Sequence, residues 1–149
     1  AKLARFSAPT EVKLALAWAA LMFFYIYNDY FSLYLPGTIA HMQEGRIGPL
    51  GPATDLVLIG VSLMLAVPSA MILLSAILPA GLSRWLNVLL GLAYTAIETL
   101  TLFGSRPFYQ LVAAFEIAAS IYIAWTALRC RPPWSSWRPN WKRTGREPW

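Results

Sequence analysis

Apolar residues along this chain gather into long runs of roughly 20, broken by short stretches rich in proline, glycine and charge. At about 1.5 Å of rise per residue, an α-helix of that length crosses the hydrocarbon core of a bilayer. The first run covers residues 13–35. Thr10 and Glu11 precede it as a cap and an acidic first turn, and Pro36-Gly37 stop it. The second covers 55–78, with Asp55 as N-cap, Pro79 closing it and Pro68 predicted to kink it, as membrane helices tolerate. The third covers 84–103 and ends at Gly104. The fourth covers 107–129, with Pro107 in its first turn and Pro132-Pro133 beyond its end. No segment alternates apolar and polar residues as a membrane barrel strand must, so the pattern predicts helices and no spanning strands. The expected fold is all-α, an integral membrane four-helix bundle. The run beginning near Lys13 lacks a small-x-small cleavage site and reads as a retained helix.

Composition strengthens this reading. The 149 residues are 58% hydrophobic and 13% charged, against about 25% charged in soluble domains. With a mean hydropathy of +0.52, one water-soluble core of this size cannot hide the apolar side chains. The net charge of +5 could signal nucleic acid, but the basic residues flank the apolar runs, which points to membrane topology and anionic lipid. One side holds ten of them: Lys2, Arg5, Lys13, Arg84, Arg129, Arg131, Arg138, Lys142, Arg143 and Arg146. The other holds only Arg46 and Arg106. Positive residues favour the cytoplasmic side, so both termini are expected inside, in a bacterial cytoplasmic membrane. The chain then divides into a cytoplasmic segment (1–12), the spans (13–129) and a basic tail (130–149). The tail combines Trp134, Trp137, Arg138, Trp141, Lys142, Arg143 and Trp149 with four prolines. It reads as an interfacial anchor on anionic lipid, or as a docking peptide for a protein partner. A single cysteine, Cys130, excludes a disulfide or a cysteine metal cluster within the chain. His41 stands alone in a loop and reads as solvated.

Ionisable groups within spans are costly and need an account. There are three: Asp29, Glu98 and Glu116. Helical rise places them roughly 9, 8 and 13 Å from the outer ends of their helices, so three helices bring a carboxyl to one layer. Helical spacing adds Trp18, Met22, Tyr25, Asp29 and Ser32 on one face of the first span, beside Asn28. The second span offers a small-residue stripe, Ser62, Ala66 and Ser69. Asn87, Gly91, Tyr94 and Glu98, with Thr95 beside them, share a face of the third. Tyr109, Ala113, Glu116 and Ser120 share one of the fourth. Small and polar residues belong at helix contacts in lipid, so the four stripes are expected to meet around a polar pocket open to the outside. Hydrogen bonding between helices is one use of the cluster, and binding of a cation, a proton or a polar headgroup is the other. The loop 36–53, with four glycines, is long enough to cap such a pocket.

The order of these residues resembles an uncharacterised family of small bacterial four-span proteins, with a layout similar to DoxX-like proteins. The likeness rests on Asp29 followed by Pro36-Gly37, on Pro68-Ser69-Ala70-Met71, and on Ser83-Arg84-Trp85-Leu86-Asn87. Phe108-Tyr109 and Ala114-Phe115-Glu116 complete it. It covers residues 13–129 and implies the fold, while carrying no activity.

Three functions compete. A non-catalytic accessory or interaction subunit of a larger membrane complex fits the tail and the lack of a catalytic motif. A small proton- or cation-coupled carrier would use Asp29, Glu98 and Glu116. An enzyme acting on a lipidic substrate would use a carboxyl as general acid or base, but no Ser-His-Asp set, metal cluster or phosphate loop accompanies it. No cofactor and no metal is expected, beyond a bound lipid or pigment. Expected partners are membrane lipids, with anionic lipid at the cytoplasmic face, and a protein partner or a second copy, without nucleic acid.

Overall fold

Each long apolar run folds as one continuous α-helix. The computed structural model describes residues 8–103 and 105–130, so Gly104 and the Trp-rich tail lie outside the described residues. The long helices are α1 (Thr10–Ser32), α3 (Asp55–Ile77), α4 (Ala80–Thr101) and α5 (Pro107–Arg129). Between α1 and α3 lies a short α2 (Thr38–Gln43) followed by β1 (Arg46–Ile47) and β2 (Gly51–Pro52).

The boundaries follow local chemistry. α5 has the predicted limits, with Pro107 in its first turn, where the missing N–H costs nothing. α1 begins at Thr10 rather than 13, and Pro9, not Thr10, is its N-cap, without a side-chain cap bond. It ends at Ser32 rather than 35. Leu33, Tyr34 and Leu35 continue as tight turns, bonding back to Tyr30, Phe31 and Ser32 at 3.2, 3.1 and 3.2 Å, because the ring of Pro36 disfavours helix in the residue before it. The N-cap of α3 is Thr54 rather than Asp55: the Thr54 hydroxyl accepts the Val57 N–H at 3.4 Å. Asp55 sits in the first turn, where its charge meets the positive end of the helix. α3 runs through Pro68 to Ile77, one residue short of the prediction. α4 starts four residues earlier than predicted, at Ala80, since the Pro79 carbonyl already accepts from Ser83 N at 2.9 Å.

The linker 36–53 was expected as a plain loop and is folded instead. Gly37, at φ +86°, makes the left-handed turn into α2. β1 and β2 pair antiparallel in the register Arg46↔Pro52 and Ile47↔Gly51. Gly51, at φ 80° and ψ −140°, adopts a backbone that a side chain would strain. None of the described side chains in this linker is buried.

α1 packs against both α3 and α5, and α4 lies along α5. Specific pairs give the directions. Phe24 stacks on Phe115 at 5.8 Å, and Met22 meets Ser69 at 3.6 Å. Arg84, near the start of α4, reaches the Leu128 carbonyl at the end of α5 at 3.3 Å. Trp18 meets Tyr94 edge-on at 5.9 Å. α1 and α4 therefore run one way, and α3 and α5 the other. Leu14, Trp18, Leu21, Tyr25, Met71, Val88, Tyr94, Ile123 and Ala127 form the core.

Two predicted faces are corrected. The buried face of α1 is Leu14, Trp18, Leu21, Tyr25 and Asn28, so Asp29 is exposed and Asn28 points inward. α3 buries Pro68, Met71 and Ser75, leaving the Ser62, Ala66 and Ser69 stripe exposed. α3 is apolar on every side, so its own residues give it no preferred rotation and its neighbours decide it. Outside the core the long helices are greasy: Leu56, Leu63, Leu73, Leu100 and Leu111 are all exposed. α1, α3 and α5 are long and apolar enough to cross a membrane.

Candidate functional site

Polar side chains gather in two layers between the helices. The first lies near the start of α4. Asn87 is fully buried there. Its Oδ1 accepts from Trp18 Nε1 at 2.7 Å and from Ser75 Oγ at 3.0 Å, and its Nδ2 donates to the Ser83 carbonyl at 2.8 Å. The Ser83 hydroxyl donates to the Ser75 carbonyl at 3.3 Å. One amide thus ties α1, α3 and α4 together.

The second layer holds the predicted carboxyls. The Tyr25 hydroxyl donates to Glu98 Oε1, and the Ser120 hydroxyl donates to Glu98 Oε2 at 2.6 Å. Asn28 Nδ2 donates to Glu116 Oε1 at 3.2 Å. Tyr94 lies between the layers and donates to the Met64 carbonyl at 2.5 Å. Glu98 and Glu116 are each only 2% exposed. Helical spacing explains the meeting: Gly91, Tyr94 and Glu98 share one face of α4, and Ala113, Glu116 and Ser120 one face of α5. At Gly91 the two helices nearly touch, since a Cβ there would stand 3.0 Å from the Ser120 carbonyl oxygen and 3.1 Å from Ala124.

Of the residues predicted for this cluster, Tyr25, Asn28, Tyr94, Glu98, Glu116 and Ser120 are buried. Thr95 is half-buried and bonds to the Gly91 carbonyl of its own helix at 2.7 Å. Asp29 stands on the outside of α1, one position beyond the residue that enters, and its charge still acts on Glu116. Glu98 and Glu116 are closed in by the side chains around them, and a small recess lies at the opposite end of the helices. That recess holds about 10 Å³, room for one water, among residues that include Glu11, Ser83, Arg84 and Cys130. The first layer was missed as a site. Trp18 and Asn87 lie on recognised faces and Ser83 in the motif that opens the third span, but Ser75 carries no signal beyond being a hydroxyl in an apolar helix. His41 is exposed, in α2 rather than in a loop, 3.8 Å from Glu44. Among the described residues no group of three or more His, Cys, Asp or Glu is placed to hold a metal ion. Trp134, Trp137, Arg138, Trp141, Lys142, Arg143 and Trp149 lie outside the described residues.

Fold and interior define an all-α protein with three helices fit to cross a membrane and buried polar bonds between helices. The chain belongs to the DUF6326 family, a family of unknown function, which it matches over residues 2–133. No curated protein and no solved structure matches it.

Proposed function

We propose that this chain is a four-span membrane protein with both termini cytoplasmic, acting as a non-catalytic accessory subunit that packs within a larger bacterial membrane complex. One observation carries the reading. The two carboxyls buried in the interior are each engaged by side chains from other helices, so the costly polar groups serve to join the helices. The apolar outer faces are left for lipid and for a partner.

Two features support the fourth span. α4 runs along the length of α5, from Arg84 beside Leu128 to Glu98 beside Ser120, so if α5 crosses, α4 crosses with it. Its buried Ser83, Asn87, Tyr94 and Glu98 each have a hydrogen-bond partner between the helices. The ends of the helices also carry interfacial chemistry. At the basic end Arg129 lies 4.2 Å over the Trp125 ring and Arg84 5.8 Å from that of Trp85. At the other end Tyr27, Tyr30, Phe31 and Tyr34 form an exposed aromatic group.

Native gel electrophoresis of gently solubilised membranes tests the subunit reading. The chain should migrate in an assembly well above its own 16.6 kDa, and removal of residues 131–149 should release it. Migration only as a free small protein would overturn the reading.

A further inference from the structure

Two buried carboxyls face each other's neighbours without a cation between them. The titratable groups around Glu116 are Glu98 from α4 and Asp29 and Tyr25 from α1. Tyr94 stands by Glu98, and the sole ionisable residue of α3 is Asp55, in its first turn. All of these are acidic or phenolic. Their hydrogen-bond partners differ. Glu98 has a hydroxyl at each oxygen, Tyr25 and Ser120, and the single Ser120 hydrogen is also within reach of the Glu116 and Ile117 carbonyls. Glu116 receives one donor, from Asn28 Nδ2. Asn28 is 4% exposed, and its Oδ1 is buried without a partner. A buried acceptor left unmade costs about 1–3 kcal/mol. The carboxyl that Asn28 already contacts supplies that donor when it carries a hydrogen: a carboxylic acid and a primary amide pair at two points, amide N–H to carbonyl oxygen and acid O–H to amide oxygen.

We propose that Glu116, with Asn28 as its amide partner, is an intramembrane proton-binding site, in which Glu116 holds an exchangeable proton donated to Asn28 Oδ1. A proton on Glu116 spares the interior an uncompensated charge. Asn28 is the positioning residue: it touches the proton-bearing group and sets its orientation. This assignment shares the Asn28–Glu116 bond with the subunit reading, but its test is made on the chain alone and does not turn on whether a partner is found.

Infrared difference spectroscopy tests it on the full chain in lipid vesicles, stepping from neutral to alkaline pH in H2O and in D2O. The wild type should show the carbonyl stretch of a protonated carboxyl at neutral pH, shifted in D2O and lost at alkaline pH. Glu116→Gln, whose amide still offers Asn28 a donor, should lose the band, and Glu98→Gln should keep one. Asn28→Leu should move the Glu116 band to higher frequency, since its hydrogen-bond acceptor is gone. Added sodium chloride at fixed pH should leave the wild-type band unchanged. Absence of a D2O-sensitive band in the wild type, or its survival in Glu116→Gln, overturns the proposal. Loss of the band on adding sodium would assign the same oxygens to a metal cation and overturns it equally.

Discussion

Asn87 joins three helices through one side chain. It accepts from Trp18 of α1 and Ser75 of α3 while its own amide hydrogens stay within α4. An exposed polar contact exchanges with water at little cost, but a buried indole N–H that loses its acceptor keeps the whole penalty. Asn87→Leu is therefore expected to destabilise the protein by about 1–3 kcal/mol, read by thermal or denaturant unfolding in detergent micelles. Ser69→Ala, at an exposed hydroxyl that bonds its own helix at the Leu65 carbonyl and touches only the Met22 sulfur across the helix contact, should stay within about 0.5 kcal/mol. Equal losses in the two variants would mean that the Asn87 amide does not hold the helices.

Between elements, the α4–α5 contact is the tightest point, and Gly91 makes it so. A methyl group at this position meets backbone, the Ser120 oxygen at 3.0 Å and the Ala124 nitrogen at 3.1 Å, and backbone cannot swing aside as a side-chain tip can. Gly91→Ala must separate the helices, which also lengthens the nearby Ser120 to Glu98 bond. Overpacking of this kind costs about 1–3 kcal/mol, and the expected result is a lower midpoint in micellar unfolding. Gly60 on α3 has nothing within 4 Å of an added Cβ, so Gly60→Ala should be neutral or slightly stabilising, because alanine is the better helix former. A neutral Gly91→Ala would show that α4 and α5 have room to spare.

At the scale of the whole molecule, the question is how many times the chain crosses. α3 and α4 are separated by only Leu78 and Pro79, so α4 must begin on the side where α3 ends. Its 22 residues give about 33 Å of helix, enough for the roughly 30 Å hydrocarbon core. In a Cys130→Ser background, Pro79→Cys and Phe103→Cys place single thiols at exposed positions beyond the two ends of α4. A membrane-impermeant maleimide added to intact cells should label Phe103→Cys and should reach Pro79→Cys only after the membrane is opened. Labelling of both from one side would remove the fourth span and the sidedness with it.

Length, proline placement and charge distribution are local properties, and the sequence by itself determined what depends on them: four long helices, the limits of α5 to the residue, and the inward face of α4 from Asn87 to Glu98. The rotation of α1 and α3 was decided only by tertiary structure. Adjacent helical positions differ by ~100° in direction, and neither helix has a sharp polar stripe to choose between them. Close packing made the choice, turning Asn28 inward and Asp29 out, and burying Ser75 in place of Ser62 and Ser69. The interior chemistry follows from that rotation. A carboxyl layer is written in the residues, but the amide that completes Glu116 comes from how α1 is turned by its neighbours.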